Sequence, residues 1–362
     1  MPLTEQDVQS ALKEIVDPNT GKDLATARAA KSVKVSGSDI AVDVELGYPA
    51  KTQLEPIKKL VAQKLRALPG VGAVHVNVTS KVASHVVQRG VKLVPGVKNI
   101  IAVASAKGGV GKSTTAVNLA LALAAEGASV GVLDADIYGP SQPTMLGISG
   151  RPESKDGKSL EPMVGHGVQA ISIGFLIDVD TPMVWRGPMV TQALEQLLKD
   201  TRWRDVDYLV VDLPPGTGDI QLTLAQKVPV TGAVIVTTPQ DIALIDARKG
   251  LKMFEKVGIP ILGVVENMST HICSACGHEE HIFGAGGAAR MAKDYGVEFL
   301  GALPLDIRIR EQADSGKPTV IADPDGRIAE SYRQIARRVA VKLGELQKDM
   351  TAKFPNIVVQ NT

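Results

Sequence analysis

Cysteine is almost missing from this chain: of 362 residues only Cys273 and Cys276 carry a thiol, too few for a disulfide framework. Net charge is nearly missing too, at +1, so no overall field draws the protein toward nucleic acid or an acidic membrane surface. No apolar run approaches the roughly 20 residues that span a bilayer. The opening Met1-Pro2-Leu3-Thr4-Glu5-Gln6-Asp7 is polar and acidic, unlike a secretory signal or an arginine-rich transit peptide. Internal repeats and low-complexity tracts are absent as well. Together these absences predict a cytoplasmic protein with no nucleic-acid and no membrane partner. What is present fits a soluble protein with a real core, at 44% hydrophobic and 22% charged residues. The length suggests about two domains, and 35 glycines hint at binding loops made of backbone.

Two regions differ in pattern. Residues 1–80 read as a small α+β domain. Thr4-x-x-Asp7 resembles a capping box opening a helix along Val8, Leu12, Ile15 and Val16, stopped by Asp17-Pro18. Strands are predicted at Ser32–Val35 and Ile40–Leu46 around the turn Ser36-Gly37-Ser38. A helix with Leu54, Ile57, Val61, Leu65 and Leu68 on one face follows, then a strand through Val74, Val76 and Val78. Residues 81–98 lack a period and contain Gly90, Pro95 and Gly96, as a linker does. Residues 99–350 then alternate short apolar runs with helix-length segments. The runs Ile100–Ala104, Val130–Leu133, Val168–Ile173, Tyr208–Val211, Ala233–Val236, Ile261–Val265 and Phe299–Ala302 predict a mainly parallel sheet flanked by helices. A last helix is expected over Ile328–Leu346, and 351–362 form a tail.

The strongest chemical signal is Lys107-Gly108-Gly109-Val110-Gly111-Lys112-Ser113-Thr114, placed between the strand Ile100–Ala104 and a helix beginning near Ser113. A triphosphate carries several charges and many acceptor oxygens. Glycines let consecutive backbone N–H groups curve around it, and the helix N-terminus adds a partial positive charge. Lys112 reaches the β- and γ-phosphates in such a loop, and Ser113 ligates magnesium. The expected nucleotide cradle is Ala106, Lys107, Gly108, Gly109, Val110, Gly111, Lys112, Ser113 and Thr114.

Two acidic segments follow buried strands: Asp134-Ala135-Asp136-Ile137-Tyr138-Gly139-Pro140-Ser141 and Asp212-Leu213-Pro214-Pro215-Gly216-Thr217-Gly218-Asp219. C-terminal strand ends are where open α/β sheets place ligands. Asp212 is assigned to the magnesium shell and Asp136 to positioning the attacking water or sensing the γ-phosphate. Either segment alone also reads as a strand-end turn.

Lys107 narrows the reading, because an ordinary phosphate loop needs only the second lysine. Lys107-Gly-Gly-x-Gly-Lys112-Ser113 resembles the deviant Walker A motif of the P-loop NTPases that include partitioning and division-site ATPases, the nitrogenase iron protein and the Mrp/ApbC/Nbp-type iron–sulfur carriers. The resemblance implies a homodimer in which Lys107 contacts the partner's nucleotide. The plainer alternative is a lysine adding charge in its own subunit. Asp134–Ser141, Trp185-Arg186-Gly187-Pro188-Met189, Asp212–Asp219 and Val264-Val265-Glu266-Asn267-Met268-Ser269 resemble the Mrp/ApbC branch in that order, over roughly residues 99–345. In that branch the residue matching Asn267 contacts the purine base; a simple Asn turn is the other reading. The first domain resembles the MIP18-type module through Asp17-Pro18-Asn19-Thr20-Gly21 and Ile40–Leu46, but without the cysteine often found there.

His271-Ile272-Cys273-Ser274-Ala275-Cys276-Gly277-His278 is the second chemical signal. Two thiolates spaced this way can bite one metal or two irons of a cluster. One chain cannot complete a four-cysteine site, whereas a two-fold dimer can. The resemblance implies a [4Fe–4S] cluster shared between subunits by Cys273 and Cys276, carried to recipient apoproteins by an ATP- and Mg2+-dependent hydrolase that also meets cluster-assembly proteins. Zinc with His271, His278 or His281, a redox pair and inert cysteines remain alternatives. The rival function is a positioning or partitioning ATPase with a structural zinc. Its membrane- or DNA-binding surface would be Arg327, Arg333, Arg337, Arg338 and Lys342 on the last helix, a face that also reads as simply solvated and that has no Phe or Trp anchor.

Overall fold

The structure, a computed structural model, describes residues 3–88, 91–177, 187–273 and 275–348. Trp185, Arg186 and the 351–362 tail lie outside the described residues.

The N-terminal unit begins with helix α1, Glu5–Lys13, and the capping box is present: the Asp7 N–H donates to Thr4 Oγ1 at 3.3 Å and the Thr4 N–H to Asp7 Oδ2 at 2.9 Å. The helix stops three residues short of Val16. Past Glu14 the chain folds back, with Leu24 N–H donating to the Ile15 carbonyl and Asp17 N–H to that of Lys22. Val16 is thereby turned outward, at 50% exposure, while Ile15 stays in the core. Strands β1, Ala30–Ser36, and β2, Asp39–Leu46, form the expected antiparallel hairpin. The alternation along β2 sorts Ile40, Val42, Val44 and Leu46 inward. Helix α2, Leu54–Arg66, crosses over to β3, Val74–Ser80, which pairs with β2 in parallel. Its buried stripe is Ile57, Val61 and Leu65, and Leu68 falls beyond its end.

Among the described residues the larger unit is built on eight strands. They are β4 Val97–Ala104, β5 Val130–Asp134, β6 Met163–Gly165, β7 Val168–Ser172, β8 Val206–Asp212, β9 Gly232–Thr237 and β10 Ile261–Glu266, followed, after a two-stranded hairpin of β11 His271–Ile272 and β12 Glu279–Glu280, by β13 Phe299–Ala302. Their order across the sheet is β13-β10-β9-β4-β8-β5-β7-β6, parallel throughout except for the edge pair β6–β7. Strands β5 and β9 are buried at every residue, which is why they read as unbroken apolar runs rather than alternating ones. Strand β4 starts at Val97, earlier than the predicted Ile100. The three-residue β6 and two-residue β11 and β12 are too short for any period to announce them.

Helices cover both faces: α3 Lys112–Ala125, α4 Gln142–Met145, α5 Gly187–Asp200, α6 Asp219–Lys227, α7 Asp241–Lys256, α8 Gly287–Tyr295, α9 Ile307–Asp314, α10 Thr319–Ala322 and α11 Arg327–Gly344. One apolar cluster joins α3 and α11 to the N-terminal unit, and a second lies under α5, α7 and α8. None of the helices among the described residues is long and apolar enough to cross a membrane.

The two units meet at a buried ion pair. Glu126, directly after α3, is fully enclosed, and its carboxylate takes both the Arg337 guanidinium and the Thr52 hydroxyl, the latter at 2.7 Å. The Thr52 N–H donates to the same carboxylate at 3.0 Å and the Lys51 N–H to the Glu126 carbonyl. This corrects the picture of α11 as a basic face. Arg337 is 5% exposed. Arg333 and Arg337 share Glu330, and Lys342 pairs with Glu298 and Glu345. Residues 81–88 are likewise held rather than free: His85 is buried and its N–H and ring nitrogen reach Asn99 Oδ1 at 3.2 and 2.9 Å.

Candidate nucleotide and cluster site

Strand β4 ends at Ala104 and helix α3 begins at Lys112, so residues 105–111 span the gap as a loop at the C-terminal edge of the sheet. Ser105 Oγ closes its start on the Lys107 carbonyl at 3.0 Å. Gly109 and Gly111 have φ of +81° and +80°, a region costly for any side chain. At Gly111 space forbids one as well: a Cβ would sit 2.1 Å from Asn267 Nδ2. Lys107, Gly108 and Gly109 are exposed, whereas Lys112 is 6% exposed.

The Lys112 amine is held by acidic partners. It forms an ion pair with Asp212 Oδ1, donates to Ser113 Oγ at 3.1 Å and lies 4.0 Å from Asp136 Oδ2. The adjacent Lys112 and Ser113 thus converge with Asp136 and Asp212 from the ends of other strands. Burial pushes the Asp136 carboxyl above its ordinary value, partly opposed by the Lys112 charge.

Two further residues belong to this cluster and were not singled out from sequence. Asp134, at the end of β5, is fully buried and accepts from the N–H groups of Asp136, Ser141 and Gln142 and from Ser172 Oγ, at 3.0–3.2 Å. Burial, and then the Asp212 charge, push its carboxyl up to about 7. It fixes the course of the 135–142 loop. Gln142 donates from Nε2 to Asp212 Oδ2 at 2.8 Å and to the Ser113 carbonyl at 3.2 Å. Its place directly after the acidic segment was the available signal, but a lone glutamine has no motif.

Asn267 follows β10. Its Nδ2 donates to the Val110 carbonyl at 2.9 Å, so in this structure it braces the phosphate loop. Met268 beside it has φ of +56°, a strained value for a side chain of that kind. Six residues beyond Asn267 comes Cys273, on the β11–β12 hairpin. The hairpin is tied by Cys273 N–H to the His278 carbonyl at 2.9 Å and Gly277 N–H to the Cys273 carbonyl at 2.8 Å. Cys273 is half-buried and Cys276 exposed. The backbone N–H groups of Cys276 and then Ala275, directed at the Cys273 sulfur, hold its thiol below the ordinary value and favour the thiolate. Two of the candidate zinc histidines are engaged elsewhere through Nδ1, His271 with the Leu305 carbonyl and His281 with that of Ser269. Among the described residues no three His, Cys, Asp or Glu side chains converge as a metal site.

Comparison with known proteins agrees with this geometry. The sequence profile of the NUBPL iron-transfer P-loop NTPase family matches residues 96–340, and that of an iron-sulfur cluster assembly protein family matches residues 5–78. The iron-sulfur cluster carrier protein of Escherichia coli K12 is 52% identical over 337 residues, 93% of this chain and 91% of that protein. The protein of the same description from Pseudomonas fragi is 63% identical over 271 residues, covering 74% of this chain and 94% of its own length. Among solved structures, a nucleotide-binding protein from Archaeoglobus fulgidus in complex with ADP superposes with a TM-score of 0.56 at 36% identity, over 64% of this chain and 90% of that one.

Proposed function

The chain belongs to the NUBPL iron-transfer P-loop NTPase family, and from that premise we propose that it is an ATP-hydrolysing carrier that holds a labile [4Fe–4S] cluster between two subunits and hands it to apoproteins in the cytoplasm. The observation that carries this is the hairpin: two thiols, one already biased toward thiolate, are presented near the surface with no third ligand of their own chain among the described residues. Two such hairpins facing across a two-fold axis supply four thiolates, the set a cubane cluster takes. A zinc site within one subunit loses support, because among the described residues no third His, Cys, Asp or Glu joins the two cysteines.

At the nucleotide end, the loop N–H groups and the start of α3 receive the phosphates, and Lys112 transfers from Asp212 to the β/γ oxygens. Ser113 and Asp212 are a hydroxyl and a carboxylate of the type magnesium takes, and they would hold an ion that neutralises charge developing on the phosphates. Asp136, with its carboxyl biased toward accepting a proton, orients the attacking water. Asn267 is the junction: it touches the phosphate loop and roots the segment leading to Cys273. A nucleotide that engages Asn267 through its base competes for the Val110 contact and thereby acts on the cysteine hairpin.

Exposed apolar side chains support a subunit face on this edge of the sheet. Tyr138, Ile242, Ile245, Ile272, Ile282 and Ile307, each 48–66% exposed, all lie on segments that follow C-terminal strand ends. In such a dimer the exposed Lys107 would act on the partner's nucleotide. Mixing an inactive Lys107 variant with an inactive Lys112 variant is expected to restore part of the hydrolysis. Heterodimers then contain one site lacking both lysines and one retaining both. No rescue despite demonstrated subunit exchange would place Lys107 within its own subunit.

The carrier reading is tested by anaerobic reconstitution with iron and sulfide. Absorption and metal analysis should give about four irons per dimer in an oxygen-sensitive chromophore. Cys273→Ala or Cys276→Ala alone should abolish it, since each removes two of four thiolates, while hydrolysis survives at least in part. One zinc per chain with no iron uptake would overturn the proposal.

A further inference from the structure

Among the described residues Gln142 Oε1 has nothing to accept from. It opens α4 at 1% exposure, its backbone N–H pinned at 3.1 Å by Asp134, and its carboxamide inserted between two parts of the nucleotide site. The Nε2 end touches two acceptors, Asp212 Oδ2 at 2.8 Å and the Ser113 carbonyl at 3.2 Å. Reversing the amide would set its oxygen against both, so these contacts fix which end is nitrogen. Among the described residues the oxygen, on the same planar group, is buried and meets no donor, and the neighbouring Ser141 Oγ is also buried without a partner. Buried acceptors are rarely left open, and those that are call for a donor that arrives with function.

That donor has a definable chemistry. The cluster holds the carboxylates Asp134, Asp136 and Asp212 against the one amine of Lys112. A glutamate at 142 would add a further negative charge against Asp212, which Gln142 touches at 2.8 Å. A neutral amide avoids this while offering a donor to Asp212 and an acceptor to something else. Magnesium brings such a donor, because it retains several waters when bound by one or two protein oxygens, and their hydrogens are polarised by the ion.

We propose that Gln142 is a positioning residue for the nucleotide's magnesium: its nitrogen orients Asp212, and its oxygen accepts from a water held by the ion. The proposal rests on the magnesium–nucleotide reading above. Gln142 contacts the loop through Ser113 and the acidic strand end through Asp212, so it sets the two assigned magnesium ligands relative to each other. Asp134, through the Ser141 and Gln142 N–H groups, holds the glutamine in place.

The test uses the full-length protein, a fluorescent ADP and Mn2+ as the spectroscopic stand-in for magnesium. Gln142→Met keeps the volume and removes the amide. Mn2+ affinity of the ADP-bound protein, read by electron paramagnetic resonance, should fall roughly 10- to 100-fold, the range for lost supports of a metal ligand. ADP affinity in EDTA should stay within about twofold, a readout that a merely structural glutamine would shift along with the first. Unchanged Mn2+ affinity, or equal losses with Mg2+ and in EDTA, overturns the assignment. Should Gln142→Met fail to fold, Gln142→Asn, which withdraws the amide by one methylene, undergoes the same two titrations with the same outcomes expected. A wild-type protein that binds ADP with no metal dependence sinks the magnesium reading itself, whereas a normal wild type with a normal variant sinks only the role of Gln142.

Discussion

Replacing Lys112 by Ala is expected to abolish triphosphate binding, with affinity for a fluorescent ATP analogue falling about 10²- to 10⁴-fold. The range follows from losing one or two hydrogen bonds between charged groups, each contributing roughly 1.5–3 kcal/mol. Among the described residues no other buried amine stands at the loop: Lys107 is exposed, and Lys112 alone lies between Asp212 and Asp136. The ion pair also predicts a counterpart of opposite sign. In the nucleotide-free protein Asp212 competes with phosphate for Lys112. Asp212→Asn should therefore bind ATP more tightly than wild type in EDTA while gaining little from Mg2+. Titrations with and without the metal separate the two variants. Wild-type affinity in Lys112→Ala would remove the loop from the site. An Asp212→Asn protein that keeps the full magnesium response would remove Asp212 from the metal shell.

How much of this site can be read from the chain depends on whether its parts are local. The loop 107–114 is one contiguous stretch whose glycines and lysines are dictated by phosphate geometry, and Gly111 retains that requirement in the fold through its φ and its closeness to Asn267. The parallel sheet is legible because buried strands such as β5 and β9 must be apolar on both faces. What escapes the sequence is made by tertiary contact between unremarkable residues. Gln142 opens a four-residue helix and acquires its role only through Asp212, seventy positions away. Asn267 is read as a base contact from the resemblance, whereas the geometry shows it supporting the loop, a contact that spacing does not reveal. Arg337 sits among arginines that invite a basic-surface reading; that Glu126 lies opposite is visible only once α3 and α11 pack together. At α1, the apolar period runs on through Ile15 and Val16, but the Asp17–Lys22 and Ile15–Leu24 backbone bonds redirect those residues into a turn. Periodicity reports which residues are apolar, and hydrogen-bond closure decides where the helix ends.

Arg337→Met is expected to destabilise the whole protein by about 3–5 kcal/mol, because it strands the Glu126 carboxylate in a site with no access to water. In a protein of 362 residues this lowers the melting temperature by about 4–7 °C. Thr52 cannot compensate: its N–H and hydroxyl already donate to that carboxylate in the intact protein. Removing both charges should behave differently. A Glu126→Leu, Arg337→Met double variant replaces the pair with side chains of similar bulk and should recover most of the loss, since burying two charges costs about as much as their attraction returns. The position of the pair adds a second expectation. Glu126 caps the far end of α3, the helix that starts at Lys112, and Thr52 lies in the turn Lys51–Gln53 before α2 in the N-terminal unit. The single variant should therefore loosen the contact between the units first, seen as faster amide exchange at Lys51 and Thr52 than in the β4 and β8 strands. A single variant within about 1 kcal/mol of wild type in urea unfolding would mean that Glu126 is protonated or hydrated when unpaired, and that the junction is held by the shared apolar cluster alone.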